Sequence, residues 1–329
     1  MTHNPTLTLE DLTALCQRAF PDRPRQNLVE AQAIHSRQHE MIAFELWWTP
    51  DKGIMKHEKL MVRRYVSPIS WWRPDDNGKA QREATVCRWL KGQGIPAPAV
   101  YAREFTPQGD IVLFERLPSI DLGIGERPLG EAVGPYITPA ARLLADLHRL
   151  DPSAEVKQVV PHVTLASAVA NLAAISHQIE QPDLAGYINR VMQRMYDVVE
   201  QPPVLLHGDF HFLNILVDEE GISGLVDWEF TAIGDPRWDV ANVYMQLVDF
   251  GAAEAADHFL NAYLESSGRN FEGPPLYNVV APLQQWAISE WLVRRYDTEE
   301  LGKFALAHDL ADQRDVHRRR AELAMKWLE

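Results

Sequence analysis

Leu205-Leu206-His207-Gly208-Asp209-Phe210-His211-Phe212-Leu213-Asn214-Ile215-Leu216-Val217-Asp218 reads as an apolar strand running into His-Gly-Asp, a short loop, an Asn and a second apolar strand. Glu219-Glu220-Gly221 makes a turn, and Ile222-Ser223-Gly224-Leu225-Val226 leads into Asp227-Trp228-Glu229. A hairpin of this kind brings the two ends of the block together. Asp209, Asn214 and Asp227 can therefore converge at one edge although they are spread along the chain.

Those three side chains suit one another chemically. Asp227, at the end of an apolar strand, is a hard oxygen ligand of the type Mg²⁺ takes, and Asn214 adds a neutral carbonyl oxygen. Asp209, on the loop between the strands, is placed to accept a proton from an attacking hydroxyl. Phosphoryl transfer needs these parts: metal to neutralise nucleotide oxygens and a carboxylate to orient and deprotonate the acceptor. Taken one at a time each is equally a turn residue, since Asp and Asn favour turns. Their spacing and flanking strands together favour the chemical reading.

His207-x-Asp209-x-x-x-x-Asn214 has the spacing of the kinase catalytic loop, and Asp227 sits where the Asp of Asp-Phe-Gly would be. Gly208 in place of Arg, and Asp227-Trp228-Glu229 in place of Asp-Phe-Gly, resemble the aminoglycoside phosphotransferase and choline kinase superfamily rather than protein kinases. Ile233-Gly234-Asp235-Pro236-Arg237-Trp238-Asp239-Val240-Ala241 resembles that family's continuation, with Asp239 expected to cap a helix that buttresses the loop. The match is dense from Val204 to Ala241 and fainter elsewhere.

The resemblance implies an α+β, protein-kinase-like two-lobed fold, with a small β-rich N-lobe and a larger, mostly helical C-lobe. It implies ATP and Mg²⁺ as cofactors, Asp209 as catalytic base, and Asn214 and Asp227 as metal ligands. Leu60-Met61-Val62-Arg63-Arg64 resembles the family's third strand, so Arg63 is expected at the nucleotide phosphates with Arg64 in reserve. Neighbouring strand residues face opposite sides, so only one of the two can serve. Glu83, in Arg82-Glu83-Ala84, is expected to pair with that base. Ile111–Glu115 followed by Leu117-Pro118 resembles the hinge, with Glu115 at its adenine-facing end. No Gly precedes Gly53, so the phosphate-covering turn is assigned to Ser36-Arg37-Gln38, with Ser36 as its nucleotide contact. Glu229 has two readings: approach to a second metal, or a structural hydrogen bond, which is preferred.

Elsewhere the pattern supplies a matching frame. Thr8 followed by Asp11 resembles a capping box opening a helix with Leu9, Leu12, Leu15, Cys16 and Ala19 on one face. Strand-like runs follow at Leu28–Ile34, Met41–Trp48 and Lys59–Val66, then a helix at Lys79–Lys91 and strands at Ala99–Phe105 and Ile111–Glu115. Ile120 to Ile137 reads as a connector; its Gly123 and Gly125 neither follow a strand nor open a helix, unlike a nucleotide loop. Helical patterns cover Pro139–Leu150, Val163–Glu180 and Leu184–Glu200, and helices dominate from Asp239 onward. The boundary is expected near Pro118: residues 1–117 as the nucleotide-binding lobe, 118–329 as the helical lobe with catalytic loop and acceptor site. Trp286 and Trp291, on a helix that walls the acceptor pocket in that family, read as core in preference to an aromatic wall.

Composition narrows the partners. The 329 residues carry 32 basic and 46 acidic side chains, a net charge of −14, which opposes a nucleic-acid backbone. The expected partner is a small-molecule hydroxyl substrate; the oligomeric state, a homodimer included, stays open. Cys16 and Cys87 are too few for a disulfide framework or a thiolate zinc site. Residues 1–5 hold no basic start or apolar run, and no apolar stretch of about 18 residues occurs anywhere, so a cytoplasmic protein without a membrane span is expected. Two other functions compete. His207, Asp209 and His211 form a His-x-Asp-x-His cluster compatible with a metallohydrolase, but lack clustered downstream ligands. A catalytically weak nucleotide-binding regulator, a pseudokinase, is the remaining alternative, supported by the missing glycine loop.

Overall fold

The computed structural model describes residues 7–34, 39–51, 53–66, 72, 76–122, 128–271, 276–295 and 307–328. Chain entry is set by helix α1 (Leu9–Ala19), whose Thr8 cap accepts the Asp11 amide at 3.2 Å while the Asp11 carboxylate takes the Thr8 amide at 2.8 Å. That reciprocal pairing satisfies two donors the first turn would otherwise leave open. Leu12, Leu15 and Cys16 then face inward.

Five strands form an antiparallel sheet: β1 (Asn27–Ile34), β2 (His39–Trp48), β3 (Lys56–Tyr65), β4 (Val100–Glu104) and β5 (Ile111–Glu115), in the order β1-β2-β3-β5-β4. The period of two sorts β3 cleanly. Leu60 and Val62 point to the α1 side, where they pack with Phe44, Leu46 and Leu113. Met61 and Tyr65 point to the other side, against the core shared with helix α2 (Lys79–Leu90). Arg63 lies between them in sequence and shares their face. Arg64 shares the α1 side, where it pairs with Glu40 at 2.6 Å.

The helical lobe contains α3 (Leu129–Val133), α4 (Ile137–Leu147), α5 (Ala154–Val159), α6 (Leu165–Gln178), α7 (Pro182–Arg194), α8 (Arg237–Asp249), α9 (Ala253–Ser267), α10 (Leu276–Arg295) and α11 (Ala307–Met325). The expected connector is partly helical, because Leu129, Ala132 and Val133 supply an apolar stripe that the glycines and prolines around them obscure in sequence. Gly123 and Gly125 lie outside the described residues. Two small sheets carry the central block: β6 (Val204–Leu206) with β9 (Ala232–Gly234), and β7 (Ile215–Asp218) with β8 (Gly221–Leu225). The expected helix from residue 163 starts at Leu165, where Thr164 caps it.

One core joins α2, α4, α8 and α9 around Phe210, Phe212 and Trp228, so the stretch on either side of Asp209 is built into that interior. Trp286 is fully buried among α6, α7 and α10, as core; Trp291 is partly buried and donates to Gln178 at 3.2 Å. Cys16 and Cys87 are buried free thiols. No helix among the described residues is long and apolar enough to cross a membrane.

Candidate active site

The loop from His207 to Asn214 hangs between β6 and β7 and is held mainly through its backbone. Asp239 lies in the first turn of α8, past the cap position that the sequence suggested and that Pro236 occupies. Its carboxylate instead takes the amides of His207 at 2.7 Å and Gly208 at 2.8 Å. His148, the residue after α4, faces the same carboxylate at 3.1 Å and Tyr263 of α9 at 2.8 Å. A fully buried carboxylate needs such donors to offset its desolvation.

His207 supports the loop. Its Nε2–H donates to the Val226 carbonyl at 3.0 Å, and its Nδ1 accepts the Asp209 amide at 3.2 Å. Both ring nitrogens are thus engaged, and burial holds its pKa below the usual histidine range. This removes His207 as a metal ligand and, with it, the metallohydrolase cluster.

Gly208 is required by geometry. Its φ is +86°, and a Cβ there would lie 2.0 Å from the Phe230 carbonyl oxygen. Gly208→Ala is therefore expected to displace the 228–230 turn, and loss of near-ultraviolet tryptophan dichroism with far-ultraviolet helix content retained checks it.

Asp209 and Asn214 meet as expected. Asn214 Nδ2 donates to the Asp209 carbonyl at 2.9 Å and reaches the Asp209 carboxylate at 3.3 Å. His211 Nε2 stands 3.4 Å from the same carboxylate. Burial works against the charge on Asp209, but His211 more than offsets it and holds the carboxyl below its ordinary pKa. Val226 donates its amide to the Asn214 carbonyl at 3.0 Å, which fastens the strand before Asp227 to the loop.

Across this edge the sheet lobe presents a cation. Arg63 Nη1 bonds Glu83 at 2.9 Å and Asp227 at 2.9 Å. Tyr65, two residues along the same face, donates its hydroxyl to Glu83. Burial pushes the Glu83 carboxyl up to about 7, with Arg63 opposing and the negative Asp227 adding to the rise. Arg63 therefore makes the expected pairing with Glu83, while Arg64 faces the other side of the sheet and pairs with Glu40.

Glu229 lies two residues past Asp227 and is 2% exposed. Its carboxylate accepts from His39 Nε2 at 2.7 Å and faces Lys79 Nζ at 3.3 Å. Burial disfavours its charge, but His39 and Lys79 outweigh that and keep it well below the ordinary carboxylate range. Burial lowers the His39 pKa against the pull of Glu229, to which its Nε2–H donates.

The remaining expected contacts divide. The Glu115 amide bonds the Ala99 carbonyl at 2.8 Å, the Arg116 amide bonds the Lys59 carbonyl at 2.9 Å, and the Glu115 carboxylate accepts the Ala99 amide at 3.1 Å. Glu115 thus ends β5, with its amide and side chain spent within the protein. Ser36, with Arg37 and Gln38, lies outside the described residues.

The donor set fits a magnesium nucleotide. Asp227, its side chain 28% exposed, and Asn214 supply oxygen, and Arg63 supplies positive charge beside them. Among the described residues no three His, Cys, Asp or Glu side chains group into a metal cage. Mg²⁺ bound through one or two protein oxygens draws its other ligands from phosphates and water, which this arrangement permits.

His39, Lys79, Tyr65 and the amide-holding role of Asp239 were not read from sequence. A signal existed for one of them. Lys79, Arg82 and Glu83 recur at i, i+3 and i+4 on a helix whose other inward residues are Ala80, Ala84, Val86, Cys87 and Leu90, so charge occupies a core face.

A family model described as the phosphotransferase enzyme family matches residues 59–283. Aminoglycoside phosphotransferase APH(4)-Ia superposes with a TM-score of 0.65 at 16% identity, covering 97% of this chain and 99% of that one. A thermostable mutant of it, in ternary complex with ADP and hygromycin B, gives 0.63 at 15% identity over 96% and 97% of the two chains. Spectinomycin phosphotransferase APH(9)-Ia, in complex with ADP and spectinomycin, gives 0.59 at 12% identity over 97% and 98%. The likeness is one of fold, and it agrees with the α+β, two-lobed kinase-like architecture described above.

Proposed function

The chain belongs to the phosphotransferase enzyme family, and from that premise we propose that it transfers the γ-phosphoryl group of ATP to a hydroxyl group of a small molecule, with Asp209 as catalytic base. The observation that carries this reading is the Arg63 bridge between Glu83 and Asp227, set against the loop bearing Asp209 and Asn214. The division used is residues 1–117 for the nucleotide and residues 118–329 for the catalytic loop and the acceptor.

Each residue has a task in this reading. Arg63, oriented by Glu83, neutralises nucleotide phosphate oxygens. The backbone from Leu117 on is the edge open to the adenine, since the Glu115 and Arg116 amides are already used. Asp227 and Asn214 would hold Mg²⁺, which supplies charge neutralisation at the transferring phosphate. Asp209, kept ionised beside His211, accepts the proton of the attacking hydroxyl and aligns its oxygen. Asp239 keeps the loop in place through its amides.

The solved relatives that bind hygromycin B or spectinomycin with ADP support an acceptor that is an aminoglycoside-like antibiotic, an amino alcohol or a sugar. The site's composition favours no one of these. Transfer of labelled phosphate from Mg-ATP across aminoglycosides, macrolides, choline, amino alcohols and sugars tests the reading. Product on at least one hydroxyl compound, absent with Asp209→Ala, is the expected outcome. Binding of Mg-ATP with no transfer to any of them favours a nucleotide-binding regulator.

A further inference from the structure

The short 3-10 turn Trp228–Phe230 that follows Asp227 is held from outside at each of its three residues. Glu83 accepts the Trp228 amide at 3.3 Å. Arg82 Nε donates to the Glu229 carbonyl at 2.7 Å, and Trp72 Nε1 to the Phe230 carbonyl at 2.7 Å. The Glu229 carboxylate takes His39 at 2.7 Å and Lys79 at 3.3 Å. Every one of these groups comes from the β2–α2 region, at the far end of the chain.

Asp227 gives the turn a reason to be held. It adopts φ 71° and ψ 57°, a left-handed conformation that a non-glycine residue enters at a cost. Such conformations persist where surrounding structure over-determines them. The contacts form a closed circuit: Asp227 to Arg63, Arg63 to Glu83, Tyr65 to Glu83, the Tyr65 ring to the His39 ring at 4.8 Å, and His39 to Glu229.

We infer that Glu229 is a positioning residue for Asp227 and not a ligand of a second metal, acting through His39 and Lys79. Two observations separate the alternatives. Glu229 is 2% exposed, whereas the Asp227 side chain is 28% exposed. A divalent cation at Glu229 would also sit beside the Lys79 ammonium, which already faces that carboxylate. Losing the carboxylate charge removes the anion that His39 and Lys79 face and loosens the turn on that side, so the effect falls on the placement of Asp227 relative to Arg63.

The inference rests on the phosphotransferase reading for its consequence in catalysis, but its structural core can be measured without it. Amide hydrogen exchange over residues 226–231 is compared among wild type, Glu229→Gln, His39→Ala and His39→Gln. Exchange should rise about tenfold or more in Glu229→Gln and in His39→Ala, and return towards wild type in His39→Gln, whose amide can still donate. In parallel, Mg²⁺ is titrated against a non-hydrolysable ATP analogue, and half-saturating Mg²⁺ should shift alike in Glu229→Gln and His39→Ala, as expected when Asp227 is displaced and no ligand is lost. With an acceptor in hand, kcat should fall roughly 10–100-fold in either single variant, and no further in the double.

Unchanged exchange overturns the inference. So does a rise of about tenfold in half-saturating Mg²⁺ with Glu229→Gln that His39→Ala does not reproduce, the signature of a lost ligand. A wild type that binds no Mg-nucleotide overturns the phosphotransferase reading instead, and exchange still decides this one. If Glu229→Gln does not fold, the two His39 variants carry the same comparison.

Discussion

Asp209→Ala is expected to lower phosphoryl transfer by roughly 10²–10⁴-fold in kcat while leaving Mg-nucleotide binding nearly unchanged, because only the proton acceptor is removed. The loop has other supports. Asp239 holds the His207 and Gly208 amides, His207 holds the Val226 carbonyl, and Asn214 keeps its bond to the residue 209 carbonyl at 2.9 Å. The loss should therefore appear in kcat with little change in KM for ATP. The check is initial rates with an acceptor found in the transfer screen, beside binding of a non-hydrolysable ATP analogue to the same variant. A fall in nucleotide affinity that matched the fall in rate would assign Asp209 to the metal instead of to the proton.

Arg82→Met should cost about 3–5 kcal/mol of folding stability, the penalty for breaking a buried ion pair by removing one partner. Arg82 is 0% exposed and bonds Asp76 at 2.5 Å and the Glu229 carbonyl at 2.7 Å. Its removal takes the guanidinium from the Asp76 carboxylate, 2% exposed, and a donor from the buried Glu229 carbonyl together. The double variant Asp76→Leu/Arg82→Met should recover much of the loss, since replacing a whole buried pair with apolar groups is often neutral. Urea midpoints for the two variants measure this. Equal destabilisation of single and double variants would mean that the Glu229 carbonyl contact, not the ion pair, carries the effect.

The two predictions differ in how visible their residues were in sequence. Asp209, Asn214 and Asp227 lie within one hairpin block, so local spacing and strand pattern were enough to bring them together. Arg63 and Glu83 were reached through chain order and resemblance, and the alternation of β3 decides between Arg63 and Arg64 once Tyr65 and Leu60 are seen to face opposite ways. The five-stranded sheet and the mostly helical remainder were legible because apolar period two gives way to helical period along the chain.

What was not legible depends on pairing across long separations. His39 meets Glu229 across 190 positions, and Trp72 meets Phe230 across 158. Neither His39 nor Trp72 carries a local mark of its partner. Asp239 was visible as a residue but misread as a cap, because an Asp near a helix start suits both roles. Only the close approach of β6 to α8 turns its carboxylate onto the loop amides. The short strand β9 was missed because Ala232-Ile233-Gly234 carries no pattern until it pairs with β6.

Calorimetric titration of ATP into the protein, with and without Mg²⁺, and into Asp227→Ala, tests the central claim most directly. Saturable binding that strengthens with Mg²⁺ in the wild type, with that strengthening lost in Asp227→Ala, is the predicted result. Absence of ATP binding in the wild type, or identical Mg²⁺ dependence in Asp227→Ala, would contradict it.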